Sequence, residues 1–218
     1  MATPYFQVRL ETVASTQDEA KSRLDALPVA VAAPAQSAGR GRSGSGWLNA
    51  DRAVAVSLAA HPAESDHRPL SLMAGVAAVR VTGTPRLKWP NDLMLGDVKV
   101  GGVLVEKSGG VAVIGMGLNI WWDDPPDGMG CLLPDDPGED HANEVAVVWT
   151  ANMMRLLDQE GWPHDEYRAL CQTLGRVISW EPGGSGLAVD VANDGGLVVS
   201  VDGSEEVLYS GAVRHMRG

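Results

Sequence analysis

One stretch sharply restricts the folds open to this 218-residue chain: "VKVGGVLVEKSGGVAVIGMGLNI", Val98 to Ile120. Two β-rich segments meet there at Lys107-Ser108-Gly109-Gly110, a hairpin signal with glycine in the turn. The segments before it alternate between strand and helix texture. Residues 5–12 read as a first strand, and Ser15 or Thr16 caps a helix over "TQDEAKSRLDAL". "PVAVAAPAQ" and "AVAVSLAAH" read as strands, and "RPLSLMAGVAAVRVTG" as a helix from near Pro69 to a stop at Gly83. After the hairpin, residues 121–144 are rich in Pro, Gly and acid and read as a long irregular loop. "EVAVVWTANMMRLLDQEG" and "HDEYRALCQTLG" then carry helical spacing. From Val177 the texture becomes short strands with Gly and Asp-Gly turns, which predicts a small β-barrel of about 40 residues. The plan is a mixed α/β unit to about residue 173, followed by a small all-β unit.

Charge and cysteine content narrow the function. Seventeen Lys and Arg face 28 Asp and Glu, a net charge of −11 that repels phosphate backbones unless cations are locally concentrated. Cys131 and Cys171 form no CxxC pair and the five histidines match no zinc spacing, so the reading is a reducing, cytoplasmic setting with no structural metal. No apolar run reaches the roughly 20 residues of a membrane span, and the N-terminus lacks a signal-peptide pattern.

Four motifs carry candidate chemistry. "AQSAGRGRSGSGWLNA" (Ala35–Ala50) sets Gly39, Gly41, Gly44 and Gly46 around Arg40 and Arg42, with Trp47 behind. Glycine permits close backbone approach to a ligand, and the two guanidinium forks suit carboxylate or phosphate oxygens. On its own the segment fits a surface loop, an RNA-binding arm or a loop closing over an anion. "KWPND" (Lys88–Asp92) brings Asn91 and Asp92 to a strand end, where they can orient a polar ligand or a metal ion, or simply make a turn. "KVGGVLVE" (Lys99–Glu106) holds Gly101-Gly102 inside a strand, which suggests a ligand lying across the backbone with Lys99 at its charged end. "IGMGLNI" (Ile114–Ile120) adds Gly115, Gly117 and Asn119, and is no dinucleotide fingerprint because no third glycine opens a helix.

Taken in order with Gln36 and the upstream Ser15-Thr16, these motifs make the chain resemble the biotin protein ligases (biotin–[acetyl-CoA-carboxylase] ligases) over nearly its whole length. The resemblance implies an α+β fold: a mixed β-sheet catalytic domain flanked by helices over residues 1–173, and an SH3-like C-terminal domain over 174–218. It implies formation of biotinyl-5′-AMP from biotin and ATP with Mg2+, then transfer of biotin to a lysine of a biotin carboxyl carrier protein or domain. By the same resemblance Ser15, Thr16, Gln36, Gly39, Arg40, Lys99 and Gly102 bind biotin. Arg42, Trp47, Asn91, Asp92 and Asn119 bind ATP or the adenylate, with Asp92 near the magnesium. Lys99, Arg42 and Asp92 are the catalytic candidates, and no covalent enzyme intermediate is expected.

The chain departs from the family pattern at Ser43 and Ser45, where arginines are frequent, at Gln17 in "STQ", and at Ala212 in "GAVRHM", where the arginine moves to Arg214 or Arg217. With 14 residues ahead of Ser15, the expectation is a ligase without a DNA-binding domain, free of membrane, for which pairing of two copies through central sheets is open. The rival readings are a lipoate or octanoate ligase on the same fold and a catalytically weak biotin or adenylate sensor.

Overall fold

The computed structural model describes residues 3–63, 65–211 and 213–216, so Ala212 and Arg217 lie outside the described residues. The chain runs through β1 (Phe6–Arg9), α1 (Thr16–Arg23), β2 (Val29–Ala33), β3 (Arg52–Ala60), α2 (Leu70–Thr82), β4 (Arg86–Lys88), β5 (Asp92–Leu95), β6 (Val98–Ser108), β7 (Val111–Trp121), α3 (His141–Asp158) and α4 (His164–Leu170). Its seven strands form one mixed sheet in the order β1-β2-β3-β7-β6-β5-β4. β1 and β2 run parallel, and the other neighbours antiparallel.

The hairpin read from the sequence is β6–β7, joined by Gly109 and Gly110 at φ 58° and 75°. Positive φ at both central positions is what a two-residue turn of matching twist requires, and glycine adopts it without steric penalty. Side chains alternate across β7. Ala112, Ile114, Met116, Leu118 and Ile120 enter the main core, which α2 and α3 cover. α2 is buried nearly all round because it lies between the sheet and the helices α3 and α4.

The other face of β7 behaves differently along its length. Val111 and Val113 pack with Val29, Val31 and Ala20 of α1 in a second, smaller core. Beyond Val113 that face continues through Gly115 and Gly117 to Asn119. Across the ladders, Gly115 sits opposite Ser57 and Leu104, and Gly117 opposite Ala55 and Gly102. α1 therefore covers one end of this face, and small residues leave a trough at the other.

A second sheet follows: β8 (Val177–Trp180), β9 (Gly184–Val191), β10 (Leu197–Val201), β11 (Ser204–Leu208) and β12 (Val213–His215), antiparallel in the order β11-β10-β9-β8-β12. The strand-and-turn texture predicted a closed barrel, and the structure corrects this. Among the described residues no ladder joins β11 to β12, so the sheet is open. β12 is only three residues long and pairs with β8 alone, which leaves no strand to close the ring. Instead its inner residues Ile178, Ala188, Val191, Leu197, Val199 and Val213 join the core of the larger sheet. Burial against a neighbouring layer does the work that closure would do in a free-standing barrel.

Candidate active site

The trough on the second face is the floor of a cleft of about 510 Å³. Its wall includes the Arg40–Leu48 loop, the Lys88–Asp92 motif, Lys99 and, from the second sheet, Gly211, Val213 and Arg214. Among the described residues, five cations reach this lining (Arg40, Arg42, Lys88, Lys99 and Arg214) against one acid, Asp92. In a chain of net charge −11, such a concentration marks a place for anionic groups.

At one end, polar groups converge on small residues. The Gln36 side-chain carbonyl accepts from the Thr16 backbone N–H at 2.8 Å and from its hydroxyl at 3.1 Å. The Thr16 and Ser57 hydroxyls lie 2.8 Å apart. Ser57 is the residue that sequence reasoning passed over, although a lone serine inside "AVAVSLAAH" was a visible signal. Gln17 is also buried here: its amide donates to Glu106 at 3.1 Å while its carbonyl oxygen has no partner among the described residues. A Cβ on Gly115 would stand 2.8 Å from that oxygen, so the glycine makes room for Gln17.

The Gly/Arg loop is a small hairpin laid over the trough. Trp47 N–H donates to Gly39 O at 2.9 Å, Gly41 N–H to Ser45 O at 2.7 Å, and Arg40 bridges to Gly46. Ser45 donates its hydroxyl to Arg42 O at 2.9 Å, closing the tip of the loop. The Trp47 ring lies over Gly117, where a Cβ would fall 2.6 Å from Cζ2. Its indole N–H is buried and unpartnered among the described residues.

Arg40 departs from the expectation that it faces ligand anions. It donates to both Asp18 oxygens at 2.8 and 2.7 Å, to Glu106 at 3.3 and 3.0 Å, and to Ser15 Oγ at 3.0 Å. The bond from Arg40 holds the Asp18 carboxyl below its usual range, and the two acids raise the guanidinium further above its own. Ser15 stands at the helix N-cap position, yet its hydroxyl serves Arg40 in place of the α1 backbone. Arg42, in contrast, donates to the neutral carbonyl of Asn91 at 3.2 Å, and among the described residues no acid pairs with it.

At the charged end, Lys99 pairs with Asp92 at 2.5 Å, both partly buried. Asn91 is fixed by donating to Val103 O at 2.8 Å. Gly102 lines the cleft, with Lys99 Nζ 3.6 Å from where its Cβ would stand. Gly101 turns away, against Leu93, Leu118 and the Gly117 carbonyl, so that glycine answers to packing.

Two expected residues are not brought to the cleft surface. Asn119 is fully buried and donates to Gly130 O at 3.0 Å, with its own carbonyl oxygen unpartnered among the described residues. The Met129–Leu132 segment, tied to Lys99 and Asn119 by backbone bonds, covers it. Gly39 is likewise absent from the lining, its space taken by Gln36 and Trp47. The remaining expected residues, Ser15, Thr16, Gln36, Arg40, Arg42, Trp47, Asn91, Asp92, Lys99 and Gly102, share the one cleft.

The family model described as "Biotin/lipoate A/B protein ligase family" matches residues 10–120. The chain belongs to that family. It is 31% identical to the biotin–[acetyl-CoA-carboxylase] ligase of Mycobacterium tuberculosis, covering 91% of this chain and 83% of that protein. The bifunctional ligase/repressor BirA of Escherichia coli is 37% identical over 98 residues, 39% of this chain and 30% of its own. Among solved structures, the Aquifex aeolicus biotin protein ligase in complex with biotin and ATP shares the fold, with a TM-score of 0.80 at 24% identity, over 96% of this chain and 99% of that one.

Proposed function

We propose that this protein is an ATP-dependent biotin–protein ligase. One observation carries the reading: a trough of small residues with paired polar groups at one end opens into a cluster of cations at the other. Biotin has a matching form, with a ureido ring, an apolar body and a terminal carboxylate.

In the first step a biotin carboxylate oxygen attacks the α-phosphorus of ATP. The bond to the bridging α–β oxygen breaks and pyrophosphate leaves. Two anions must approach each other, so fixed positive charge is needed where they meet. Lys99 and Arg42 supply it, already oriented by Asp92 and Asn91. Thr16 and Gln36 address the ureido end, with Ser15 and the backbone of Arg40 beside them and Gly102 leaving room for the chain. Trp47, Asn91 and Arg42 face the nucleotide, and the Asn119 carbonyl oxygen is a free acceptor beneath the Met129–Leu132 cover. Mg2+ bound with ATP would offset phosphate charge, and Asp92 would hold it through one carboxylate oxygen; among the described residues no three His, Cys, Asp or Glu side chains form a cage.

In the second step the neutral amine of a carrier lysine attacks the acyl carbon and AMP leaves. Asp92, the one acid on the lining, is the group proposed to receive the amine's proton. The roof formed by residues 39–47 keeps water from the mixed anhydride between the two steps.

The same reading takes residues 1–173 as the catalytic domain and 174–218 as an SH3-like domain whose sheet stays open. It assigns a cytoplasmic setting, a carboxyl-carrier domain as partner and no DNA partner, and leaves pairing of two copies through their central sheets open. No helix among the described residues is long and apolar enough to cross a membrane.

The test is labelled biotin with ATP and a purified carrier domain. Label on one carrier lysine with release of pyrophosphate is the expected result. Label from lipoate or octanoate alone would move the assignment to the acyl ligases, and biotin binding without transfer would make the chain a sensor.

A further inference from the structure

We propose that Thr173 and His215 are positioning residues for the nucleotide end of the cleft, acting as a pin between the Lys88–Asp92 motif and strand β12. The inference rests on the ligase reading above and adds a means by which the second sheet sets the geometry of the first.

Thr173 is fully buried at the point where the chain leaves α4 for the second sheet. Its hydroxyl oxygen accepts from the Trp89 backbone N–H at 3.0 Å. His215 Nε2 lies 3.2 Å from the same oxygen. A hydroxyl oxygen has two acceptor sites besides its one proton, so with Trp89 on one of them it bridges to Nε2 of either neutral His215 tautomer. The ring itself is neutral, since burial, with Lys88 and Arg176 nearby, pulls the imidazole down to about 4.

Both ends of this relay lead directly to the cleft. Trp89 stands between Lys88 and Pro90, and all three line it together with Asn91 and Asp92. His215 follows Arg214 on β12, and Val213 and Arg214 form the cleft wall contributed by the second sheet. β12 is otherwise held, among the described residues, by its three-residue pairing with β8, the Met216 N–H bond to Val177 O, an exposed Arg214–Glu181 ion pair and the burial of Val213. The Trp89 indole adds a parallel tie by donating to Gly195 O at 3.0 Å. A shift of β12 would thus move Arg214 relative to Asn91 and Asp92 while leaving Thr16, Gln36 and Ser57 undisturbed.

The test compares Thr173→Val, which keeps shape and loses the hydroxyl, with Thr173→Ser, which keeps the hydroxyl. In biotin-dependent ATP–pyrophosphate exchange, Thr173→Val should raise KM for ATP about fivefold or more with KM for biotin unchanged, and Thr173→Ser should restore it. Equal changes for both substrates, or none for ATP, would overturn the proposal. Imidazole nitrogen NMR gives a readout independent of catalysis. His215 Nε2 should show the shift of a hydrogen-bonded nitrogen in the wild type, and that shift should move in Thr173→Val. An Nε2 shift that stays the same in Thr173→Val would refute the pin even if the protein made no biotinyl adenylate, whereas an inactive wild type with the expected spectrum would refute the ligase reading alone.

Discussion

Replacing Lys99 with alanine separates what this lysine does for the fold from what it does for the reaction. The Lys99 and Asp92 side chains are 33% and 23% exposed, so their ion pair is partly solvated and contributes about 0–1 kcal/mol to stability. On a 218-residue chain that moves Tm by at most about 4 °C. The effect on adenylation is of another size. A unit charge about 4 Å from a phosphoryl oxygen, at an effective dielectric constant near 20, contributes about 4 kcal/mol. Removing it also frees the Asp92 carboxylate to oppose the incoming anions. The expected loss is roughly a hundred- to a thousandfold in biotin-dependent ATP–pyrophosphate exchange at saturating substrates. A Lys99→Met variant, which keeps the chain length and apolar contacts, should behave alike. Exchange within about tenfold of the wild type, with Tm unchanged, would remove Lys99 from the chemistry and refute the charge argument.

Three further outcomes follow from other parts of the molecule. Gly117→Ala puts a Cβ 2.6 Å from the Trp47 ring, so the 39–47 roof should lift, seen as roughly tenfold or faster amide exchange there; unchanged protection would contradict the seating of Trp47. Arg68 pairs with Asp66 and donates to the carbonyls of Leu156, Leu157, Gln159 and Gly161 at the end of α3, so Arg68→Ala should cost about 3 kcal/mol and lower Tm by roughly 6–12 °C, with exchange activity per folded molecule intact. His215 has a folded pKa of about 4 against 6.5 unfolded, lowered first by burial and then by Lys88 and Arg176, with Asp97 opposing them. The unfolded chain binds the extra proton between those values, so this group's contribution is full above about 6.5 and is lost as pH falls toward 4. Urea titrations should show a shallower acid decline for His215→Gln than for the wild type in that window.

Periodicity and turn chemistry made much of the larger sheet legible. The glycine pair at 109–110, the alternation on β7 and the strand texture around Ser57 each follow from residues adjacent in the chain. The candidate site was legible as a set of motifs, and most of its members do share one cleft. What stayed hidden depends on partners distant in sequence. Arg40 reads as a ligand-facing cation because its neighbours are glycines and Arg42, while the acids that neutralise it lie 22 and 66 residues away. Gly115 and Gly117 signal a close approach in any strand, but the approaching groups are Gln17 and Trp47 of the protein itself. Asn119 shares the face of those glycines, and only the Met129–Leu132 cover removes it from the surface. The closed barrel failed for a related reason: strand texture does not reveal that the second sheet buries its inner face on a neighbour.

The Gly109-Gly110 turn has a consequence for how this protein tolerates insertion. β6 and β7 alternate with a period of two residues: one face enters the main core, and the other, which on β7 packs against α1 near the turn, reaches the cleft farther along. Adding a single residue at the turn would slide one strand by one step and exchange its two faces. Ile114, Met116 and Leu118 would then fill the trough, and the glycines would leave holes in the core. A two-residue insertion would keep every side chain on its own face and only shift the register. Odd-length changes at this turn should therefore abolish the site, and even-length ones should be survivable, although no residue of the turn lines the cleft.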